Sequence, residues 1–289
     1  MLSLPEGRLE AGRFRSLRLR VRAVLRALVL LVVTLALLPL FAAAGIFGRV
    51  ARRPIRRLWA GSCLRLLGLE VRYRGAPMQA CATLLVSNHV SYLDVVLLAA
   101  RTDATFIAKA EVARWPLFGA IGRSAGTFFV RRRRRDALVQ RNTLAARLRN
   151  GESFILFAEG TSSDGLGVQP LKTSLLSVAE PWVLDRPIAV QPVTLAYRQL
   201  RSGAAITARN CRRYAWCGDD ELVPHLWKLL HDDGCVIEVV FGEPVVSWAV
   251  ENRKLLGRHL RQSIAAELEP PASRRCRADA APPVQDVAA

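Results

Sequence analysis

Ala82-Thr83-Leu84-Leu85-Val86-Ser87-Asn88-His89-Val90-Ser91-Tyr92-Leu93-Asp94 is an apolar run that breaks into a polar turn and sets a histidine five positions before an aspartate. The run from Ala82 to Val86 has the length and composition of a buried strand. Five helical steps turn a side chain by about 500°, roughly 140° away from its starting face, so His89 and Asp94 cannot pair as ordinary members of one helix. His89 is therefore expected in the turn after the strand. Asp94 is expected in the first turns of a helix carrying Val95, Val96, Leu97 and Leu98, where the positive helix end favours a carboxylate. Such a carboxylate holds one imidazole nitrogen and leaves the other to take a proton.

Outward from this unit, further strand-like runs occur at Glu70 to Tyr73, Thr105 to Ile107, Thr127 to Val130, Phe154 to Phe157, Ile188 to Leu195 and Val236 to Phe241, with helical stretches between several of them. That alternation predicts an α/β fold, a mainly parallel or mixed sheet flanked by helices, preceded by an N-terminal hydrophobic membrane helix or helical hairpin. Three regions are expected: a basic N-terminus and membrane segment (1–55), an α/β domain (56–269) and a Pro-, Ala- and Arg-rich disordered tail (270–289). The stretch from Tyr197 to Glu221 has mixed polarity and no period that assigns it.

Residues Ala27 to Gly48 carry no charge and suffice to cross a hydrocarbon core, which takes about 20 helical residues. Arginines crowd both sides, at 13, 15, 18, 20, 22 and 26 and again at 49, 52, 53, 56 and 57, so the positive-inside rule assigns no orientation. One solution keeps both ends on the cytoplasmic face, with the segment bent near Pro39 inside one leaflet and the arginines on anionic headgroups. A signal peptide cleaved after Ala42-Ala43-Ala44 and a buried helix of a soluble domain are the competing readings. Arg56 to Leu67 reads as a basic amphipathic helix along the interface.

The net charge of +18 and a pI near 11.0 call for an anionic partner: membrane, phosphate-bearing substrate or nucleic acid. With only four lysines beside so many arginines, compositional bias of the source is another explanation of the charge. No nucleic-acid-binding motif is present, and the charge brackets an apolar segment instead of a groove-reading helix. Six cysteines are scattered without a Cys-x-x-Cys pair, His225, His231 and His259 make no ligand pattern with His89, and there is no Gly-x-Ser-x-Gly elbow.

Two further constellations carry chemistry. Phe154 to Gly165 is a strand ending in Glu159-Gly160-Thr161-Ser162-Ser163-Asp164-Gly165, a turn able to offer backbone donors and hydroxyls, which is also what an ordinary turn looks like. Gly126 to Val130 runs into five arginines, of which Arg131 or Arg132 is the candidate clamp for a phosphate or carboxylate, the rest a solvated charge run.

Taken together these blocks resemble the glycerolipid acyltransferase family typified by bacterial 1-acyl-glycerol-3-phosphate acyltransferases. Asn-His-x-Ser-x-x-Asp is intact as Asn88, His89, Ser91 and Asp94, and the glycine-strand-arginine block matches Gly126 through Arg132. Phe-Pro-Glu-Gly-Thr-Arg-Ser appears as Phe157-Ala158-Glu159-Gly160-Thr161-Ser162-Ser163, and a proline ending a hydrophobic strand as Val190 to Thr194. Lys109, Trp115-Pro116 and Gly119 fall where the family often has a Lys, a Pro and a Gly. The resemblance covers roughly residues 55 to 245.

It implies transfer of a fatty acyl group from acyl carrier protein or coenzyme A to a lysolipid hydroxyl, with the thioester as donor substrate, no cofactor and no metal. It makes His89 and Asp94 the catalytic pair, and Asn88, Ser91, Lys109, Arg131, Arg132, Glu159, Gly160, Thr161, Ser162 and Lys172 the candidate substrate-binding residues. The setting it implies is the bacterial inner membrane, with the site facing the cytoplasm. Where the family has an arginine that holds the acceptor's phosphate, this chain has Ser162, and the Glu-Gly-Thr-Ser-Ser-Asp-Gly version looks like that of enzymes acylating lyso-ornithine lipid, which has no phosphate. Lyso-ornithine lipid and lysophosphatidic acid both stand as acceptors, and a membrane scaffold without activity is the non-enzymatic alternative.

Overall fold

A computed structural model of the chain describes residues 6–115, 118–249 and 251–269. Pro116, Cys276 and the tail expected from Pro270 onward lie outside the described residues. The sheet is built from β1 (Glu70–Arg74), β2 (Thr83–Ser87), β3 (Thr105–Lys109), β4 (Phe128–Val130), β5 (Phe154–Phe157), β6 (Ala189–Leu200), β7 (Cys235–Phe241) and β8 (Val245–Val246). Their order is β1-β7-β6-β2-β5-β3-β4, with β8 also on β6. All pairs are parallel except β6 with β7 and with β8.

Alternation along the strands makes two cores, one on each face of the sheet. On one face Leu85, Ile155, Val193, Leu195 and Ile237 meet Leu93 and Leu97 of α3 (Leu93–Ala99), Cys63 and Leu64 of α2 (Arg49–Leu66) and Leu229 of α6 (Leu222–His231). On the other, Leu84, Val86, Phe154 and Val190 meet Leu144 and Leu148 of α5 (Ala137–Arg149) and Leu256 and Leu260 of α7 (Arg253–Leu268). The short α4 (Phe118–Ser124) lies between β3 and β4 in the chain.

Strand β6 runs five residues beyond its expected end at Leu195 because β7 goes on pairing with it to Leu200. Pro192, which has no N–H to give a ladder, sits where that edge of β6 changes partner, after β8 has paired Ala189 and Val190 and before β7 begins at Val193. The neighbouring Gln191 side chain closes the gap. Its amide donates to Ala76 O (3.0 Å) and Gly242 O (2.9 Å) and accepts from Met78 N–H (2.9 Å).

The N-terminal apolar segment is a helical hairpin. Helix α1 (Glu6–Ala44) passes Pro39 without ending, and the reversal comes at Gly45–Gly48, where Gly48 takes a φ of 94° that a side chain would resist. The expected bend near Pro39 is thus corrected: a proline's lost bond alone did not stop the helix, while the left-handed glycine turned it. Helix α2 begins at Arg49, earlier than expected, so the boundary drawn at 55/56 falls inside it. It returns along α1, with Trp59 Nε1–H on Thr34 Oγ1 (3.1 Å) and Arg52 on Phe41 O (3.2 Å).

Both sides of the apolar segment are fastened to the α/β domain. On one side, within α1, Arg22 pairs with Asp233 (2.6 Å) and Arg26 donates to Leu230 O and Asp232 O, capping the last turn of α6, where a cation suits the helix dipole. On the other, at the start of α2, Arg49 pairs with Glu152, which Arg147 also holds (2.6 Å). Several arginines expected on headgroups are therefore paired with carboxylates of the protein itself, Arg53 and Arg56 on Asp103 among them (2.8 and 2.5 Å). From Val21 onward the exposed residues of α1 are apolar, Val21, Leu25, Leu28, Val32 and Leu35 among them, and Ile46 and Phe47 at the turn are 84% and 83% exposed.

Candidate active site

Strand β2 ends at Ser87 and the chain turns through Asn88 to Tyr92 before α3 begins, which puts His89 in the turn and Asp94 in the first helical turn. His89 Nδ1 lies 2.7 Å from Asp94 Oδ2. The same oxygen accepts from Val90 N–H (2.7 Å) and Ser91 N–H (3.0 Å), and Oδ1 accepts from Tyr197 O–H (2.9 Å). Asp94 is fully buried, so these four contacts take the place of water around its charge. The imidazole stacks on Phe157, with ring centres 4.1 Å apart and planes 17° from parallel. Its side chain is 19% exposed, and Nε2 is the ring nitrogen left for a reactant.

Tyr197 is a residue that sequence reading missed. It continues the alternation of Val193 and Leu195 on β6, which was the available signal, and the sheet carries its hydroxyl to the carboxylate across 103 residues. Burial first, then Asp94, pushes its phenol well above the usual range, so it stays a donor.

Two expected substrate contacts are corrected. Asn88 is fully buried, and its amide donates to Leu195 O (3.0 Å) while accepting from Leu195 N–H (2.8 Å). It clamps the end of β2 to β6 and has no surface for a substrate. Ser91 is fully buried as well, so its hydroxyl is closed off from solvent, and it contributes the backbone donor to Asp94.

The Glu159–Gly165 turn is drawn against the His89 loop. Ser163 gives both its N–H (2.8 Å) and its Oγ–H (3.1 Å) to His89 O, and Gly165 has its Cα face against Val90, where a Cβ would lie 2.9 Å from a methyl. Glu159 is buried with no partner of good geometry on either oxygen; the His89 and Gln169 backbones and the Ser163 hydroxyl are the polar groups near it. Burial is the largest influence and raises its carboxyl to about 7. Thr161 and Ser162 line a cleft beside this turn, and Ser162 donates to Trp216 O.

Of the basic candidates, Arg132 reaches Gly160 O, and Lys172 lies beside the same glycine, its N–H on Ala158 O (2.7 Å). Lys109, at the end of β3, is near enough to Arg132 that its pKa falls, from burial first and that repulsion second. Arg132 and Lys172 thus meet at Gly160, with Lys109 in the neighbourhood of Arg132. Arg131 is exposed and held through its backbone by Gln140 (3.0 and 2.9 Å). The unassigned stretch from Tyr197 to Glu221 also enters the site: Trp216 gives its N–H to Val90 O (2.9 Å) and packs edge-on to Tyr92 and Trp115. Tyr92 in turn bonds His225 Nδ1 (3.0 Å).

A family model described as Acyltransferase matches residues 70–196. The chain is 41% identical over 209 residues to a lyso-ornithine lipid O-acyltransferase of Brucella abortus (strain 2308), covering 71% of this chain and 78% of that one. It is 35% identical over 256 residues to the Rhizobium meliloti (strain 1021) protein of the same name, covering 86% and 87%. A 1-acyl-sn-glycerol-3-phosphate acyltransferase of Neisseria gonorrhoeae is 32% identical over 201 residues, covering 69% and 74%. The crystal structure of a 1-acyl-sn-glycerophosphate (LPA) acyltransferase from Thermotoga maritima superposes with a TM-score of 0.57 at 18% identity, covering 84% of this chain and 96% of that one, which speaks to the fold.

Proposed function

The chain belongs to the acyltransferase family, and from that we propose that it moves a fatty acyl group from a thioester of acyl carrier protein or coenzyme A to the free hydroxyl of a lysolipid, with lyso-ornithine lipid the first acceptor and lysophosphatidic acid the second. The observation that carries the chemistry is the buried His89–Asp94 pair with Nε2 left unused. The acceptor hydroxyl gives its proton to His89 Nε2 as its oxygen bonds the thioester carbonyl carbon, and Asp94 steadies the imidazolium. Collapse of the tetrahedral adduct breaks the carbon–sulfur bond, and the leaving thiolate takes the proton back from His89. Acyl-enzyme formation is not needed.

Ser162 supports the ranking of acceptors. A bidentate guanidinium at that place would suit a phosphate, whereas here a hydroxyl is spent on the Trp216 carbonyl. The cluster of Lys109, Arg132 and Lys172 favours the second acceptor, since it could meet a phosphate near Gly160.

The same reading makes the enzyme a guest of one leaflet of the bacterial inner membrane, on its cytoplasmic side. A patch of exposed apolar side chains running from Leu17 to Phe47 is what a lipid surface would cover. Arg22, within α1, and Arg49, at the start of α2, tie both sides of the apolar stretch to the α/β domain, which supports a hairpin lying in one leaflet.

Acyl transfer by membranes carrying the protein, with acyl carrier protein thioester and either lysolipid, tests the function. His89→Ala should lower the rate at least about 100-fold, and Ser162→Arg should move preference toward the phosphorylated acceptor. Full activity in His89→Ala would refute the mechanism, and an unchanged acceptor ratio in Ser162→Arg would refute the reading of Ser162.

A further inference from the structure

We infer that the cleft between the Thr161–Asp164 loop and the 208–217 segment holds the acceptor's headgroup and reads it as a zwitterion, Asp164 taking an ammonium and Arg212 a carboxylate. The inference rests on the acyltransferase reading above and names what part of the acceptor this cleft selects.

The cleft has a volume of about 420 Å³, with Ser162, Ser163 and Asp164 on one wall and Ala208, Arg212 and Cys217 on the other. Both walls are tied to the catalytic turn. Ser163 bonds His89 O twice, and the opposite wall is held through Trp216 N–H on Val90 O, with Ser162 bridging to Trp216 O. A headgroup seated there is held between two walls that are both bonded to the backbone of the turn carrying His89.

The charges of the lining are one carboxylate and one guanidinium, from different segments. Asp164 is exposed, and its Oδ1 is oriented by Leu166 N–H (3.0 Å). Arg212 is held through Nη2 by Asp220 (3.0 Å) and Cys217 O (3.2 Å), which anchors the guanidinium at the rim. A phosphate in this cleft would meet Asp164 head-on. An amino-acid headgroup whose α-nitrogen is used in the fatty amide keeps one carboxylate and one side-chain ammonium, and that pair of charges matches the pair in the walls.

The test uses the full chain in vesicles and three acceptors: lyso-ornithine lipid, its carboxyl methyl ester, and the same lipid acetylated on the side-chain amine. In the wild type each modification should raise KM about tenfold with kcat nearly unchanged, as for the loss of one charged contact made equally in ground and transition states. Asp164→Asn, which can still accept from Leu166 N–H, should erase the penalty for acetylation and keep that for the ester. Arg212→Gln should do the reverse, and Arg212→Lys should restore part of the ester penalty. A merely structural role would move both penalties together, and that result, or equal use of all three acceptors by the wild type, overturns the inference while acyl transfer itself stands. If the wild type transfers no acyl group to these lipids, tryptophan fluorescence titration without donor decides. The same crossed pattern in binding supports the headgroup site and sinks the acceptor assignment, and no discrimination sinks both.

Discussion

At the residue scale, the four contacts on Asp94 set how firmly His89 is held. Tyr197→Phe keeps the ring and removes one of them, so the carboxylate, and the imidazole it orients, is held less firmly. We expect kcat to fall about three- to tenfold with little change in KM. An unchanged kcat would leave Tyr197 a packing residue only. Glu159 gives a second prediction. Its carboxyl ionises near the ordinary 4.5 when unfolded and at about 7 when folded, so the folded state binds the proton more tightly. This group favours folding fully below the lower value, and the benefit is lost as pH climbs to the upper one. Relative to Glu159→Gln, the wild type should therefore lose unfolding temperature between about pH 5 and about pH 7 and run parallel above. Parallel curves throughout would mean that the carboxylate finds partners in solution.

At the scale of elements, the catalytic turn is made rigid by a side chain that imitates a strand. Asn88 supplies Leu195 with the donor and acceptor that a neighbouring backbone would give, at the point where β2 ends. Asn88→Ala strands that N–H and C=O in the core, at a cost of about 2–4 kcal/mol. Denaturant unfolding should read this as a lower midpoint with an unchanged slope, and a loss under about 0.5 kcal/mol, the size of an ordinary surface change, would show that water replaces the amide. How much of this was legible in advance divides by distance along the chain. The turn-then-helix placement of His89 and Asp94 follows from five residues of spacing, and seven of the eight strands follow from apolar runs. Two-residue β8 is too short to carry a period. Asn88 was read as a substrate contact because nothing local announces a partner at Leu195.

At the scale of the whole molecule, the proposed lipid contact falls on the exposed apolar side of the hairpin. Phe47→Asp puts a charge where an 83%-exposed aromatic would enter the membrane. Burying such a side chain is worth about 1.5–3 kcal/mol, so vesicle binding should weaken about tenfold or more. Undiminished co-sedimentation would place the lipid contact elsewhere. In cells, a cysteine introduced at Glu10 should stay unlabelled by an impermeant reagent applied from outside; labelling would mean that α1 crosses the bilayer.

By itself the sequence determined what depends on near neighbours: the strand–turn–helix that carries His89 and Asp94, the alternation that makes an α/β sheet, and a long uncharged apolar stretch. Steric limits and hydrophobic periodicity act over a few residues, so these features are written locally. The tertiary structure alone decided that Tyr197 completes the shell of Asp94, that Asn88 is a clamp, that a segment without periodicity walls the cleft with Asp164, and that arginines flanking the apolar segment pin it to the domain. Each of these joins residues dozens to hundreds of positions apart, and their meeting follows from the order of strands in the sheet, which no local pattern contains.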